Sequence, residues 1–362
     1  MNNEQLLILT AQPEFVTAAL AELKQFDKRL TGIEDIAPGI LLCGGPEVAF
    51  VTEKARQKRP IFVRHLAPVQ QRIDLANEPD DMGTIAEAMA ALPTFALLEQ
   101  GARFAVQSRF VQTDKSLGER PYSSGKLNQA LAEAIAEETG AIEMVKKPQI
   151  VVSILCTMYK AYIGISPAEE NISGWPGGAR HYAQTNEQIS RAEFKLLEAL
   201  ETFGITLPET GKALDLGAAP GGWTRLLLEG TELQVTAVDP ANLDKRLAHQ
   251  RRLDHYRGYA EHYLEDALRR HMKFDIIVND MRMDAREAAR LLAQAAGCLR
   301  ADGIVISVFK LPHTTDEINP LNTLKEALRT LERNYDIVQA HQLFHNRQEV
   351  TVVAAQPHAE RR

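Results

Sequence analysis

Between Leu214 and Thr224 the chain reads LDLGAAPGGWT, an apolar strand-like run joined to a helix-like one through three glycines and a proline. Glycine lets a backbone turn sharply and lets a bound molecule come close. A helix that starts at such a turn also offers unpaired amides. Gly217, Ala218, Pro220, Gly221 and Gly222 therefore read as a turn that holds a ligand. Two phosphate readings fail on spacing. The dinucleotide fingerprint wants a glycine two residues after Gly217, and a phosphate loop wants Gly-Lys-Ser or Gly-Lys-Thr where Trp223 and Thr224 stand. What remains is Asp215 near the end of the first strand, able to pair with an amino group, and Asp239 at the end of the next, placed to accept from a ribose diol. Trp223 can shape the pocket. A ligand with an amino-acid tail and a ribose but no phosphate suits this set, which is S-adenosylmethionine.

The elements that must position these residues alternate along the second half. After a helix at 187–203 come strand KALDLG, helix GGWTRLLLEG, strand QVTAVDP, strand-like HYRGYAEHYLED, strand FDIIVND, helix AREAARLLAQAAGCL, strand GIVISVFKL and a helix at 316–333. Near-continuous apolar strands such as FDIIV and GIVISVF belong to a parallel sheet covered on both faces. The last two strands, YDIVQAHQLF and QEVTVVAA, are too close in sequence for a crossover and predict an antiparallel pair. The expected fold is α/β, a Rossmann-like mostly parallel sheet with ligands at the carboxyl ends of its strands.

The first half is not strictly alternating. Residues 1–58 predict strand LLILT, a helix at 13–26 and strand GILLCG; residues 59–168 predict helix, strand, helix and two strands, an α+β module. Residues 169–186, rich in Gly, Pro and polar side chains, read as a linker, 187–357 as the α/β domain and 358–362 as a tail.

Composition bounds the rest. With 45% hydrophobic and 25% charged residues in 362, the chain has material for two or three cores. Cys43, Cys156 and Cys298 lack the spacing of a zinc site or disulfide framework, so no metal is expected. The start, MNNEQLLILTAQPEF, lacks a basic region followed by a long apolar one, which predicts a cytoplasmic protein.

LDLGAAPGGWT resembles the cofactor motif of the FtsJ-like ribose 2′-O-methyltransferases, a group related to fibrillarin. Members use a Lys-Asp-Lys-Glu tetrad, and the resemblance implies Lys195 in SRAEFKLLEAL, Asp280 after FDIIVN, Lys310 closing GIVISVFK and Glu349 opening the final strand. It also implies that Asp280 borders the cofactor and that Asp266 in YLEDAL holds its adenine end. RFAVQSRF and LNQALAEAIAEETGAIEMVKKPQIVVSIL are similar to the THUMP module, an RNA-binding domain, and residues 1–58 resemble the ferredoxin-like domain that accompanies it. The combination resembles bacterial enzymes that methylate a cytidine ribose in large-subunit ribosomal RNA.

The tetrad's chemistry follows from its residue types. A ribose hydroxyl is a poor nucleophile at neutral pH while a sulfonium methyl is already activated, so the protein must align the two and remove a proton. Lys310, closing an apolar strand, is expected to have a lowered pKa and to act as general base. Asp280 would hold it and orient Lys195, which positions the hydroxyl; Glu349 would fix Lys310 from the hairpin. A base methyltransferase is disfavoured because Asp280-Met281-Arg282-Met283 stands where Asn or Asp precedes Pro-Pro-aromatic, and neither Cys156 nor Cys298 is placed to attack a pyrimidine.

Net charge is −7, and residues 1–170 carry 17 basic against 22 acidic side chains, so RNA must be held by local patches. The expected one is KARQKRPIFVR, with Lys54, Arg56, Lys58, Arg59 and Arg64; DKRLAHQRR at 244–252 and RRHMK at 269–273 are others. Transfer RNA remains an alternative substrate, a non-catalytic cofactor-binding ribosome-assembly factor an alternative class, and a dehydrogenase a distant third. No membrane partner is expected; the oligomeric state stays open, with a monomer preferred.

Overall fold

QLLILT forms β1 (Gln5–Thr10), buried over its last four residues, and recruits three further strands into an antiparallel sheet. In chain order these are α1 (Val16–Leu23), β2 (Thr31–Ala37), β3 (Ile40–Gly45), α2 (Val48–Lys58) and β4 (His65–Val69), with strand order β2-β3-β1-β4. This is the βαββαβ ferredoxin-like arrangement. It reaches past residue 58, because β4 pairs with β1 from Leu6↔Val69 to Thr10↔His65. The computed structural model describes residues 4–111, 119–183, 185–314 and 319–358, and its chain divides into two units, 1–180 and 181–362.

The first unit continues with β5 (Gln71–Asp74), α3 (Asp81–Ala90), β6 (Arg103–Phe110), α4 (Ser124–Thr139), β7 (Ile142–Glu143), β8 (Ile150–Cys156) and β9 (Lys160–Pro167), in a mixed sheet of order β5-β9-β8-β6-β7. Ser123 caps α4 by accepting from the Lys126 amide at 3.2 Å, and Gly140 ends it in the left-handed conformation. Phe104, Val106, Leu127, Leu131, Ile135 and Val152 fill the core under α3 and α4. The opposite face of this sheet supplies Leu155 and Tyr162 to a cluster with Ile8, Leu42, Ala67 and Val69 of the first sheet. The stretch read as a linker is partly built in: Asn171 is fully buried, and its amide donates to Ser166 Oγ and the Pro167 carbonyl.

In the second unit α5 (Glu193–Phe203) leads into β10 (Lys212–Leu216), α6 (Gly222–Gly230), β11 (Gln234–Val238), β12 (Leu253–Tyr256), α7 (Ala260–Arg269), β13 (Phe274–Asn279), α8 (Ala285–Ala295), β14 (Leu299–Lys310), α9 (Pro320–Glu332), β15 (Tyr335–His341) and β16 (Glu349–Pro357). The sheet order is β12-β11-β10-β13-β14-β16-β15. β16 is antiparallel to both its neighbours, β14 and β15, while the pairings from β12 through β14 are parallel. HYRGYAEHYLED, read as a strand, instead splits after Tyr256 into the end of β12 and the start of α7. Ala260, Tyr263, Leu264 and Ala267 are the buried residues of α7, a helical period that overrides the alternation of its first half. The helix expected from 187 begins at Glu193; that expected from 316 starts at Pro320, and residues 316–318 lie outside the described residues, as do 359–362 of the expected tail.

Candidate active site

Four side chains from four elements meet at the carboxyl edge of the second sheet. Lys310 ends β14 and lies directly opposite Glu349 in the antiparallel β14–β16 ladder. Asp280 follows β13, and Lys195 projects from the first turn of α5. Lys310 Nζ donates to Asp280 Oδ1 at 2.6 Å and to Glu349 Oε1 at 2.7 Å. Lys195 Nζ sits 2.7 Å from Glu349 Oε2 and 3.2 Å from Asp280 Oδ1. Cations and carboxylates thus alternate around a closed ring, each side chain 15–22% exposed.

The ring sets the charge state of its members. Burial alone would lower the Lys310 pKa, as expected from sequence, but the charges and hydrogen bonds of Asp280 and Glu349 outweigh it and hold the lysine above its ordinary value. The expected depression is therefore reversed: both neighbouring carboxylates favour the ammonium. For Glu349 burial acts upward, and the two lysines prevail and keep the carboxyl below its ordinary value.

Further residues, which sequence reasoning missed, fix the ring in place. Asn279, fully buried, donates from Nδ2 to Ser307 Oγ at 2.9 Å and accepts the Met281 amide at 3.0 Å, which sets the turn that presents Asp280. Glu198, one turn beyond Lys195 on α5, accepts the Phe344 and His345 amides at 2.8 and 3.0 Å and His345 Nδ1 at 2.7 Å, pinning the loop ahead of Glu349. Burial would raise the Glu198 pKa, but the bonds to His345 and Phe344 win and lower it. A buried carboxylate three residues after a lysine carries no local sequence signal, because its partners lie in a distant loop.

The glycine turn lies at the same edge. Gly217 has φ +71°, and a Cβ there would stand 2.2 Å from Met281 Cγ; Gly221 has φ +111° and caps α6. The Gly217 and Ala218 amides donate to the Val238 carbonyl at 2.9 and 3.2 Å, and Asp239 Oδ2 accepts the Ala219 amide at 3.0 Å. Asp239 therefore braces the turn as well as bordering it.

Three assignments change. Asp215, read as a partner for an amino group, is 2% exposed and accepts from Thr224 Oγ1 at 2.6 Å, which ties the strand to α6; burial pushes its pKa up to about 7. Trp223, read as a pocket wall, is buried in the core and donates from Nε1 to the Ala192 carbonyl at 2.7 Å. Asp266 is not brought to this edge: it lies well into α7, which runs back from the end of β12, and its carboxylate pairs with Arg269 and Arg270. A pattern gives the spacing of a side chain but not the direction it points.

The segment before α5 was also missed. Trp223 holds its last residue, Arg225 pairs with Glu193, and Arg246 Nη1 donates to the carbonyls of Asn186 and Glu187 at 3.3 and 3.2 Å. This places Ser190 against Gly222, where a Cβ would stand 2.4 Å from Ser190 Oγ, and that hydroxyl is buried with no hydrogen-bond partner.

Among the basic residues, Arg64 is 8% exposed and donates to Gln12 Oε1 at 2.9 Å, so it is removed from the expected patch. Lys54, Arg56 and Lys58 lie on α2 and Arg59 caps it; Arg56 pairs with Glu169 at 3.4 Å. In the other two runs Arg252 donates to the carbonyls of Leu228 and Thr231, and Lys273 to that of Gly297, so part of their charge serves the fold. Among the described residues no group of His, Cys, Asp or Glu could hold a metal, and no helix is long and apolar enough to cross a membrane.

Residues 188–334 match the family model described as FtsJ-like methyltransferase, and residues 79–166 that described as THUMP domain. A protein of Halorhodospira halophila named Ribosomal RNA large subunit methyltransferase M is 35% identical over 201 residues, a match that spans about half of each chain, 53% of both. Relatives of the same name from Thauera aminoaromatica and Psychromonas ingrahamii are 28% and 27% identical over 83% and 86% of this chain, and over 80% and 83% of their own. Residues 79–166 are a THUMP domain, residues 188–334 are an FtsJ-like methyltransferase domain, and the chain is a methyltransferase.

Proposed function

We propose that the second unit transfers the methyl group of S-adenosylmethionine to a ribose 2′-hydroxyl of large-subunit ribosomal RNA, on a cytidine, and that the first unit helps to hold the RNA. The closed Lys195–Asp280–Lys310–Glu349 ring beside the glycine turn carries this reading. The names of the relatives support ribosomal RNA as the substrate.

The residues present suit the cofactor. An unpartnered buried hydroxyl, Ser190, stands next to Gly222 at the start of α6, where unpaired amides and the helix dipole favour a carboxylate. Ser190, Gly217, Gly221 and Gly222 would hold the amino-acid tail and Asp239 the ribose. When bound, the cofactor supplies a methyl group on a positively charged sulfur.

The chain's own side chains do the rest. Asp280 and Glu349 hold the two ammonium groups side by side, so that both can donate to one substrate oxygen. Lys195, paired with both carboxylates, positions the 2′-hydroxyl. Lys310 Nζ accepts the hydroxyl proton once it has released its own, a step that its two carboxylates oppose at neutral pH.

Ribose methylation mapped on ribosomal and transfer RNA from cells with and without this chain tests the proposal. One ribose-methylated cytidine in large-subunit ribosomal RNA is expected to disappear. Loss of a base methylation, loss confined to transfer RNA, or no loss at all overturns it.

A further inference from the structure

Alternation along β6 turns Gln107 and Arg109 away from α3 and α4 and toward the first sheet. A half-open cavity of about 30 Å³ remains there, lined among others by Thr10, His65, Gln107, Arg109, Ser153 and Gly177. Gly177 has φ +58°, and a Cβ on it would stand 2.3 Å from Arg109 Nη1, so glycine is what lets the chain pass over the guanidinium.

The charges in this cavity do not balance. Arginine keeps its proton in proteins. Burial lowers the Arg109 pKa with no carboxylate acting against it, and among the described residues the Arg109 guanidinium makes no ion pair or hydrogen bond. An uncompensated buried cation is destabilising, as is breaking a buried pair by removing one partner. Two acceptors beside it are also unsatisfied: His65 Nδ1 and Gln107 Oε1, on side chains 3% and 7% exposed. His65 is neutral, its pKa pushed down to about 3 by burial first and by Arg109 second. Its ring bonds the backbone of Ser173, so with Nδ1 unpartnered the proton sits on Nε2 and Nδ1 presents a lone pair. The amide of Gln107 is oriented by its bond to the Gly174 carbonyl at 3.1 Å, which aims Oε1 away from that partner.

A matching ligand brings negative charge to Arg109 and an O–H to one or both acceptors. Water supplies the second without the first. Sulfate and phosphodiesters supply the first without the second, and their oxygens would face the lone pairs of His65 and Gln107. We propose that this cavity binds a protonated phosphate group, inorganic phosphate or a terminal phosphomonoester, with Arg109 donating to its charged oxygens and Gln107 and His65 accepting from its hydroxyl. A volume of about 30 Å³ holds roughly two water-sized groups, which matches two phosphate oxygens inside and the remainder at the mouth.

Calorimetric titration of the full chain with inorganic phosphate and with sulfate, at one ionic strength, tests this. Phosphate is expected to bind at least about tenfold more tightly than sulfate, a difference of about 1.4 kcal/mol. Arg109→Gln and Gln107→Glu are both expected to abolish phosphate binding while S-adenosylmethionine binding by the second unit stays unchanged. Gln107→Glu gives Arg109 an internal carboxylate, so it guards against loss of binding through misfolding. A short oligoribonucleotide with a terminal phosphate that binds more tightly than its unphosphorylated twin identifies an RNA end as the source; equal binding of the two, with inorganic phosphate still bound, identifies the free ion. Equal affinity for phosphate and sulfate, phosphate binding that survives both substitutions, or no binding at all overturns the proposal.

Discussion

Lys310 and Glu349 face each other across the β14–β16 ladder with 2.7 Å between Nζ and Oε1, so backbone register alone delivers the carboxylate to the amine. This has a measurable consequence. Asp280 and Glu349 hold the Lys310 pKa up, so kcat/KM is expected to climb by about tenfold per pH unit between roughly pH 7 and 9 without a plateau. Glu349→Gln removes one of the two negative charges, lowers the Lys310 pKa and moves the rising limb to lower pH by about one unit or more. Its limiting rate falls, because Lys195 also loses a partner at 2.7 Å. Lys310→Met removes the rising limb together with activity and leaves S-adenosylmethionine binding intact. An unchanged pH profile in Glu349→Gln would assign the proton acceptor elsewhere.

The Trp223 indole couples the cofactor turn to the helix that carries Lys195. Nε1 donates to the Ala192 carbonyl at 2.7 Å, just ahead of α5. Trp223→Phe keeps most of the buried ring and deletes this bond, at a stability cost of about 1 kcal/mol. With Lys195 less firmly placed, kcat is expected to fall further than the modest loss of stability explains. Comparing thermal unfolding with single-turnover methyl transfer separates the two effects. A rate that tracks stability alone would mean that the bond serves only the fold.

How much of this was visible in the sequence depends on the reach of each interaction. The second sheet was legible because its buried parallel strands are apolar runs separated by helices, and the tetrad positions could be placed at strand ends. α7 was misread because Gly258 falls inside a stretch whose first half alternates. β4 was not foreseen as a strand of the first sheet because its pairing with β1 spans more than fifty residues. Burial of Arg64, Asp215 and Trp223 was hidden for a different reason: a run or motif fixes residue type and spacing, whereas tertiary packing decides which side chains reach solvent.

Asp215 gives the second unit a pH dependence of known sign. Its pKa is about 7 against an ordinary 3.8, raised first by burial and then by the charges of Asp280 and Asp239, with the Thr224 hydroxyl acting in the other direction. Between these values the folded chain binds more protons than the unfolded one. Stability therefore falls as pH rises through the window, by at most about 1.4 kcal/mol per pH unit. Asp215→Asn keeps an acceptor for the Thr224 hydroxyl and cannot ionise, so its stability relative to the native chain should increase by that slope from pH 5 to about pH 7 and level off above it. Urea unfolding at several pH values measures it, and parallel profiles would place the carboxyl in a wetter environment than its 2% exposure implies.

The cations on α2 make different predictions from one another, although one sequence run holds them all. Lys54 lies 5.5 Å from the ring centroid of Phe50, which is 40% exposed, and Lys58 is one turn further along the exposed face. An exposed aromatic ring flanked by lysines suits a nucleic-acid strand, whose bases stack and whose phosphates attract charge. If this face contacts RNA, Lys54→Ala with Lys58→Ala weakens binding and reduces the slope of log affinity against log salt by about one per lysine. Arg56→Ala should do less, because Glu169 already occupies that guanidinium at 3.4 Å. Arg64→Ala should leave the slope alone and lower thermal stability, since its guanidinium is buried against Gln12. Fluorescence anisotropy with a ribosomal RNA fragment between about 50 and 200 mM salt distinguishes these outcomes. Equal slopes for the native chain and the double lysine variant would remove α2 from the interface and leave the exposed cations between residues 244 and 252 to carry it.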